Sequence, residues 1–185
     1  MRISMKTIYW SLCVLLATSV TIYGQEKSTQ RADLFGTIRC GTDIPKALIG
    51  RFMPNERVAL TEARHKNLGL KNLGGGDISE RLDSTSWLIC GNEYMLITDK
   101  KSIVRDVLQV PQHSKASPEF IGLCRVNNKQ LPEVIVAILN NRAGVENLSA
   151  KFAWKIDPKT AKFVKLDAEG MQCPRDGIIT ADGGN

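Results

Sequence analysis

Histidine occurs only twice in the 185 residues, as His65 and His113, which excludes a metal site built from three or more imidazoles. Aromatic residues make up 6% of the chain. That is too few for the stacking platforms that hold single-stranded nucleic acid, and no nucleic-acid partner is expected. No Cys-x-x-Cys pair occurs, so neither a zinc ribbon nor a thioredoxin-like redox centre is indicated. There is no Gly-x-Ser-x-Gly nucleophile elbow. Gly74-Gly75-Gly76 lacks the Gly-Lys-Ser/Thr ending of a phosphate loop, and Asp77 behind it sets negative charge where a phosphate should lie. With these motifs missing, no cofactor is expected and no residue set announces a reaction.

What remains describes a globular domain. Apolar residues account for 43% and charged residues for 24%. The length suits one domain, able to bury roughly 70% of its unfolded surface. Residues 1–24 have the layout of a secretory signal peptide. Arg2 and Lys6 lead into an apolar stretch from Ile8 to Val20, and small Gly24 precedes the polar run Gln25-Glu26-Lys27-Ser28. The alternative is an uncleaved membrane anchor, because the stretch approaches the length of a bilayer span. Residues 25–34 read as a flexible leader, 35–181 as a single domain and 182–185 as a disordered tail. Beyond the signal segment four cysteines remain, Cys40, Cys90, Cys124 and Cys173. An even number in an exported chain reads as two disulfides. The nearly equal separations favour Cys40–Cys90 with Cys124–Cys173, and the alternative is Cys90–Cys124 with Cys40–Cys173.

The predicted order of elements is that of an α+β fold, with short N-terminal helices followed by an antiparallel, hairpin-rich sheet. Phe35 to Cys40 reads as a first strand. Thr42-Asp43 ahead of Ile44-Pro45-Lys46-Ala47-Leu48 reads as a capped short helix. Asn55 to Lys66 is rich in good helix formers. Leu68 to Gly76, with its glycines, reads as a loop, and Asp77-Ile78-Ser79-Glu80 as a helix start of the capping-box kind. From Trp87 the texture is that of strands. Trp87–Cys90 and Tyr94–Ile97 flank a short turn, Ile103–Val110 follows, and Val134–Leu139 is apolar on both faces. Lys151 to Asp157 alternates cleanly and returns through Phe163 to Leu166.

Three sets of residues are candidates for function. Glu62 and His65, one helical turn apart, have the spacing of a pair on one helix face. His113 and Ser114, with Asp106 upstream, supply the residue types of a hydrolytic triad, inside a proline-bracketed surface loop, Pro111–Pro118. A His65/His113 pair with a carboxylate would suit a metal only if the fold joined them, and no metal site is assigned. The third set is cationic: Lys151, Lys155, Lys159 and Lys162 along the last hairpin, with Trp154 among them. The formal charge of +6 makes an anionic envelope polymer, a lipid surface or an acidic protein the expected class of partner. The leading expectation is therefore an exported domain, periplasmic or extracellular, that acts by binding. The alternatives are a small exported hydrolase using His113 or His65, and a membrane-tethered structural component of the envelope.

Overall fold

Local chemistry builds strands almost everywhere and helix only in short pieces. The computed structural model describes residues 33–179. The predicted signal peptide, the tail and all but the last two residues of the predicted leader lie outside the described residues. Asp43 caps the helix α1 (Ile44–Leu48), its carboxylate accepting the Lys46 N–H at 3.1 Å, as Asp does at an N-cap. The second helix, α2 (Val58–Arg64), has no side-chain cap and is followed by a single 3₁₀ turn, Lys66–Leu68. Among the described residues there are also twelve strands. They are β1 (Lys71–Ser79), β2 (Leu82–Ile89), β3 (Asn92–Asp99), β4 (Val104–Gln109), β5 (Glu119–Gly122) and β6 (Arg125–Val126). The remainder are β7 (Lys129–Gln130), β8 (Ile135–Leu139), β9 (Asn147–Asp157), β10 (Lys162–Leu166), β11 (Met171–Pro174) and β12 (Ile178–Ile179).

This overturns the α+β expectation. Of the described residues 47% are in strands and 12% are helical, and the strands form two sheets, so the fold is mostly β. Three local readings differ, and the second and third of them account for the added strand. Phe35–Cys40 is a turn instead of a strand, closed by the Ile38 N–H on the Phe35 carbonyl at 3.0 Å. Its apolar side chains Phe35 and Ile38 are nonetheless fully buried. Leu68–Gly76 is not a loop, because Lys71–Gly76 belong to β1. A Cβ at Gly75 would lie 2.2 Å from the Ser84 carbonyl oxygen, so glycine is what lets β1 approach β2; the ladder shifts register beside it, between Asn72 and Gly74. Asp77–Glu80 is the end of that strand and its turn, not a helix start. Asp77 is paired with Asp83 across the ladder, and Lys100 Nζ bridges their carboxylates at 3.0 and 2.6 Å.

The first sheet is the antiparallel meander β1-β2-β3-β4. Its central turn is Cys90-Gly91, with φ of 54° and 77°, the left-handed pair that a two-residue hairpin requires. The second sheet runs β12-β5-β8-β9-β11-β6-β7, with β10 added along β9. Alternation then sorts the side chains into three apolar layers. Tyr94 and Leu96 of β3 join Phe35, Leu48 and Trp87 in a core beneath the N-terminal segment. Met95 and Ile97 turn the other way, onto Val136, Ile138 and Ile156 of the second sheet. Ile135, Ala137 and Leu139 of β8 fill the third layer with Phe120, Leu148 and Met171. Strands β3 and β8 are apolar on both faces because each serves two cores. The disulfides are Cys40–Cys90 and Cys124–Cys173. The first ties the N-terminal segment to the β2–β3 turn, and the second closes the outer core of the second sheet.

Candidate functional site

The layer between the sheets is not filled along its whole length. On β2 the inward positions run Leu82, Ser84, Ser86, all buried, and two hydroxymethyl groups occupy far less volume than the aliphatic side chains found elsewhere in the layer. A cavity of about 770 Å³ opens there. Ser84, Ser86, Glu93 and Met95 line it from the first sheet, and Glu119, Ile121 and Val134 from the second. The glycine run of β1 forms one wall with Lys71, and His113 enters from the β4–β5 connection.

Strand phase delivers the polar cluster. Glu93 is in register with Met95 and Ile97, so its side chain shares their inward face. Glu119 is paired with Ile138, and Ile121 with Val136, which places the Glu119 carboxyl inside the same layer. His113 Nε2 lies 2.7 Å from Glu93 Oε2 and 4.0 Å from Glu119 Oε2. Glu119 is 2% exposed, and its Oε1 is buried with no hydrogen-bond partner. Burial pushes its carboxyl up to about 8, with the adjacent Glu93 carboxylate adding to the rise, because a charge taken from water without compensation is expensive. Glu93, His113 and Glu119 hold their donor atoms within 4.8 Å of one another, the one such group of three among the described residues.

The residues singled out from sequence separate in space. Glu62 and His65 do not pair with each other. Glu62 Oε1 accepts the Asn72 N–H at 2.7 Å, and His65 Nε2 lies 2.8 Å from Asp33 Oδ2, with its ring edge-on to Phe35. Both fasten the segments packed around the first sheet. Ser114 Oγ accepts the Ala116 N–H at 3.3 Å, and Asp106 takes the Phe163 N–H at 2.8 Å, so the supposed triad of His113, Ser114 and Asp106 is not assembled. On the last hairpin Lys155 is 3.2 Å from Glu133 and Lys162 is 3.2 Å from Asp106. Lys151 sits over the Phe152 ring at 5.6 Å. Lys159 is exposed and Trp154 is half-buried.

Sequence reading reached His113 but neither of its carboxylate neighbours. The signal was there in phase: an acid in step with Met95 and Ile97, and another in step with Ile121, each stand on the apolar side of a strand. A charged residue at such a position is either paired or functional. A smaller cavity of about 420 Å³ lies on the opposite face of β1 and β2, beside Phe35, Thr61 and Trp87. The Glu56 carboxylate at its edge is already engaged by Arg64 and Thr61. In comparisons with known proteins, the chain matches no family model, no curated protein and no solved structure.

Proposed function

We propose that this is an exported, disulfide-stabilised binding domain, periplasmic or extracellular, whose ligand site is the cavity between the two sheets. The observation that carries the reading is Glu119, a carboxyl held inside an apolar layer with one oxygen unsatisfied, in a residue that lines the cavity. Buried polar groups are ordinarily hydrogen-bonded, and a buried carboxyl short of one partner among the residues that line a cavity supports reading that cavity as a ligand site. The two disulfides fit an oxidising compartment. The cationic hairpin is the weaker candidate for the contact surface, because Lys155 and Lys162 already have carboxylate partners within the chain.

The test is a thermal-shift screen of the full chain against metals, small acids, amines and sugars, run beside Ser86→Leu, which puts a side chain into the cavity. Ligands that stabilise the wild type and not Ser86→Leu support the reading. Stabilisation that survives Ser86→Leu and disappears on reversing the charge of Lys155, Lys159 and Lys162 would return the site to the hairpin. A hydrolytic role is the second reading, favoured by the hydrogen bond between His113 and Glu93 inside the cavity. That contact is the geometry of an oriented general base. Turnover in an esterase, phosphatase or glycosidase screen that His113→Ala abolishes would establish it.

A further inference from the structure

We infer that Glu93, His113 and Glu119 form a binding site for a divalent transition-metal ion of the zinc class. The inference deepens the reading of the cavity as the ligand site and rests on it. Four observations carry it. First, the donors converge from three separate places, β3, the β4–β5 connection and β5, with their ligand atoms within 4.8 Å of one another. Metal–ligand bonds of about 2.1 Å set tetrahedral ligand atoms about 3.4 Å apart. The two distances from His113 Nε2, 2.7 and 4.0 Å, straddle that value, each within about 0.7 Å of it.

Second, Glu119 Oε1 is buried and unpartnered in a residue 2% exposed that lines the cavity. An acceptor left this way costs stability, and a cation held by both oxygens of Glu119 removes the cost. Third, the charges match. Glu93 and Glu119, the latter releasing its proton to solvent as the ion binds, give two carboxylates that with a neutral imidazole offset a dication, and an imidazole donor favours zinc-class ions over magnesium or calcium, which prefer all-oxygen sets. When the ion binds, the imidazole proton sits on Nδ1, leaving the Nε2 lone pair for the metal. Fourth, both glutamates stand on strands packed in a core and not on loops, the arrangement that holds ligands in place. Three protein donors facing a cavity leave a coordination position open, as in sites that bind or activate a further molecule.

The experiment uses the full chain stripped with EDTA and then titrated with zinc by calorimetry. Side-chain ¹⁵N spectra of its two imidazoles are recorded in parallel. Because the chain has only His65 and His113, the second measurement needs no variant to fold, and His65→Ala serves only to assign the peaks. The expected result is one zinc per chain, a large shift of the His113 Nε2 signal with His65 unmoved, and affinity reduced at least tenfold in both His113→Ala and Glu119→Gln. Zinc that leaves both imidazole signals in place, or binds equally well to both variants, overturns the site. Failure of the metal and failure of the cavity are distinguishable. Organic ligands that stabilise the wild type but not Ser86→Leu, with zinc inert, overturn the metal and leave the cavity standing; silence from every ligand class overturns both.

Discussion

Glu119 sets the pH behaviour expected of the metal-free protein. Its folded carboxyl is raised from 4.5 to about 8, so between those values the folded state holds a proton that the unfolded chain has released. Stability from this residue is therefore complete below about 4.5 and is lost as pH rises through about 8. Glu93 and His113 are the titratable groups facing it. The urea midpoint of EDTA-treated protein should fall between pH 5 and pH 8, and Glu119→Gln, which keeps the shape without a titrating proton, should flatten that fall; an unchanged slope in the variant would assign the dependence elsewhere. Gly75 makes a second prediction at this scale. An added methyl group meets the Ser84 carbonyl oxygen at 2.2 Å, and forcing atoms into a packed contact costs about 1–3 kcal/mol. Gly75→Ala should lower stability by that amount in chemical denaturation, with the loss centred on β1 in hydrogen exchange.

Among the elements, β2 decides whether there is a site at all, since its two inward serines leave the middle layer open. Ser84→Leu or Ser86→Leu should raise the unfolding free energy by about 0.5–2 kcal/mol, as cavity filling commonly does, and should abolish any ligand effect on the melting temperature. A variant that is stabilised and still binds would place the ligand outside the cavity. The same element scale shows what could be read in advance. The hairpin of β2 and β3, the return of β10 along β9 and the two-faced apolar strand β8 were legible, because alternation and burial on both sides leave a local trace in composition. The glycine strand β1 was not legible. Three consecutive glycines signal a loop unless a neighbouring backbone demands closeness, and that neighbour, Ser84, becomes relevant only once the ladder has formed. The site shares this difficulty. His113 finds Glu93 through a hydrogen bond spanning 20 residues, and nothing near either residue announces the other. The clue was the phase of two acids on apolar strand faces, which carries meaning only after the strands are known.

At the scale of the whole molecule, the two bridges differ in access more than in loop length. They close loops of 50 and 49 residues, for which chain entropy predicts nearly equal stabilisation, about 4 kcal/mol each. Cys124 and Cys173 are completely buried, whereas Cys40 is exposed and Cys90 half-buried. Mild reductant followed by alkylation and peptide mapping should therefore label Cys40 and Cys90 first, with the second bridge opening only on unfolding. Labelling in the reverse order would mean that the outer core of the second sheet opens more readily than the N-terminal segment. Both bridges belong to outer layers, and among the described residues none crosses the seam between the sheets. Within the described residues the chain passes from one sheet to the other once, along residues 110–118, with His113 on the crossing. Among the described residues the two sheets are thus stapled plates joined by one covalent crossing and a shared core, and the cluster of Glu93, His113 and Glu119 spans the join beside that crossing like a clasp. Anything gripped there acts as a reversible rivet, slowing hydrogen exchange in both plates together, where reduction of Cys40–Cys90 would loosen only the first.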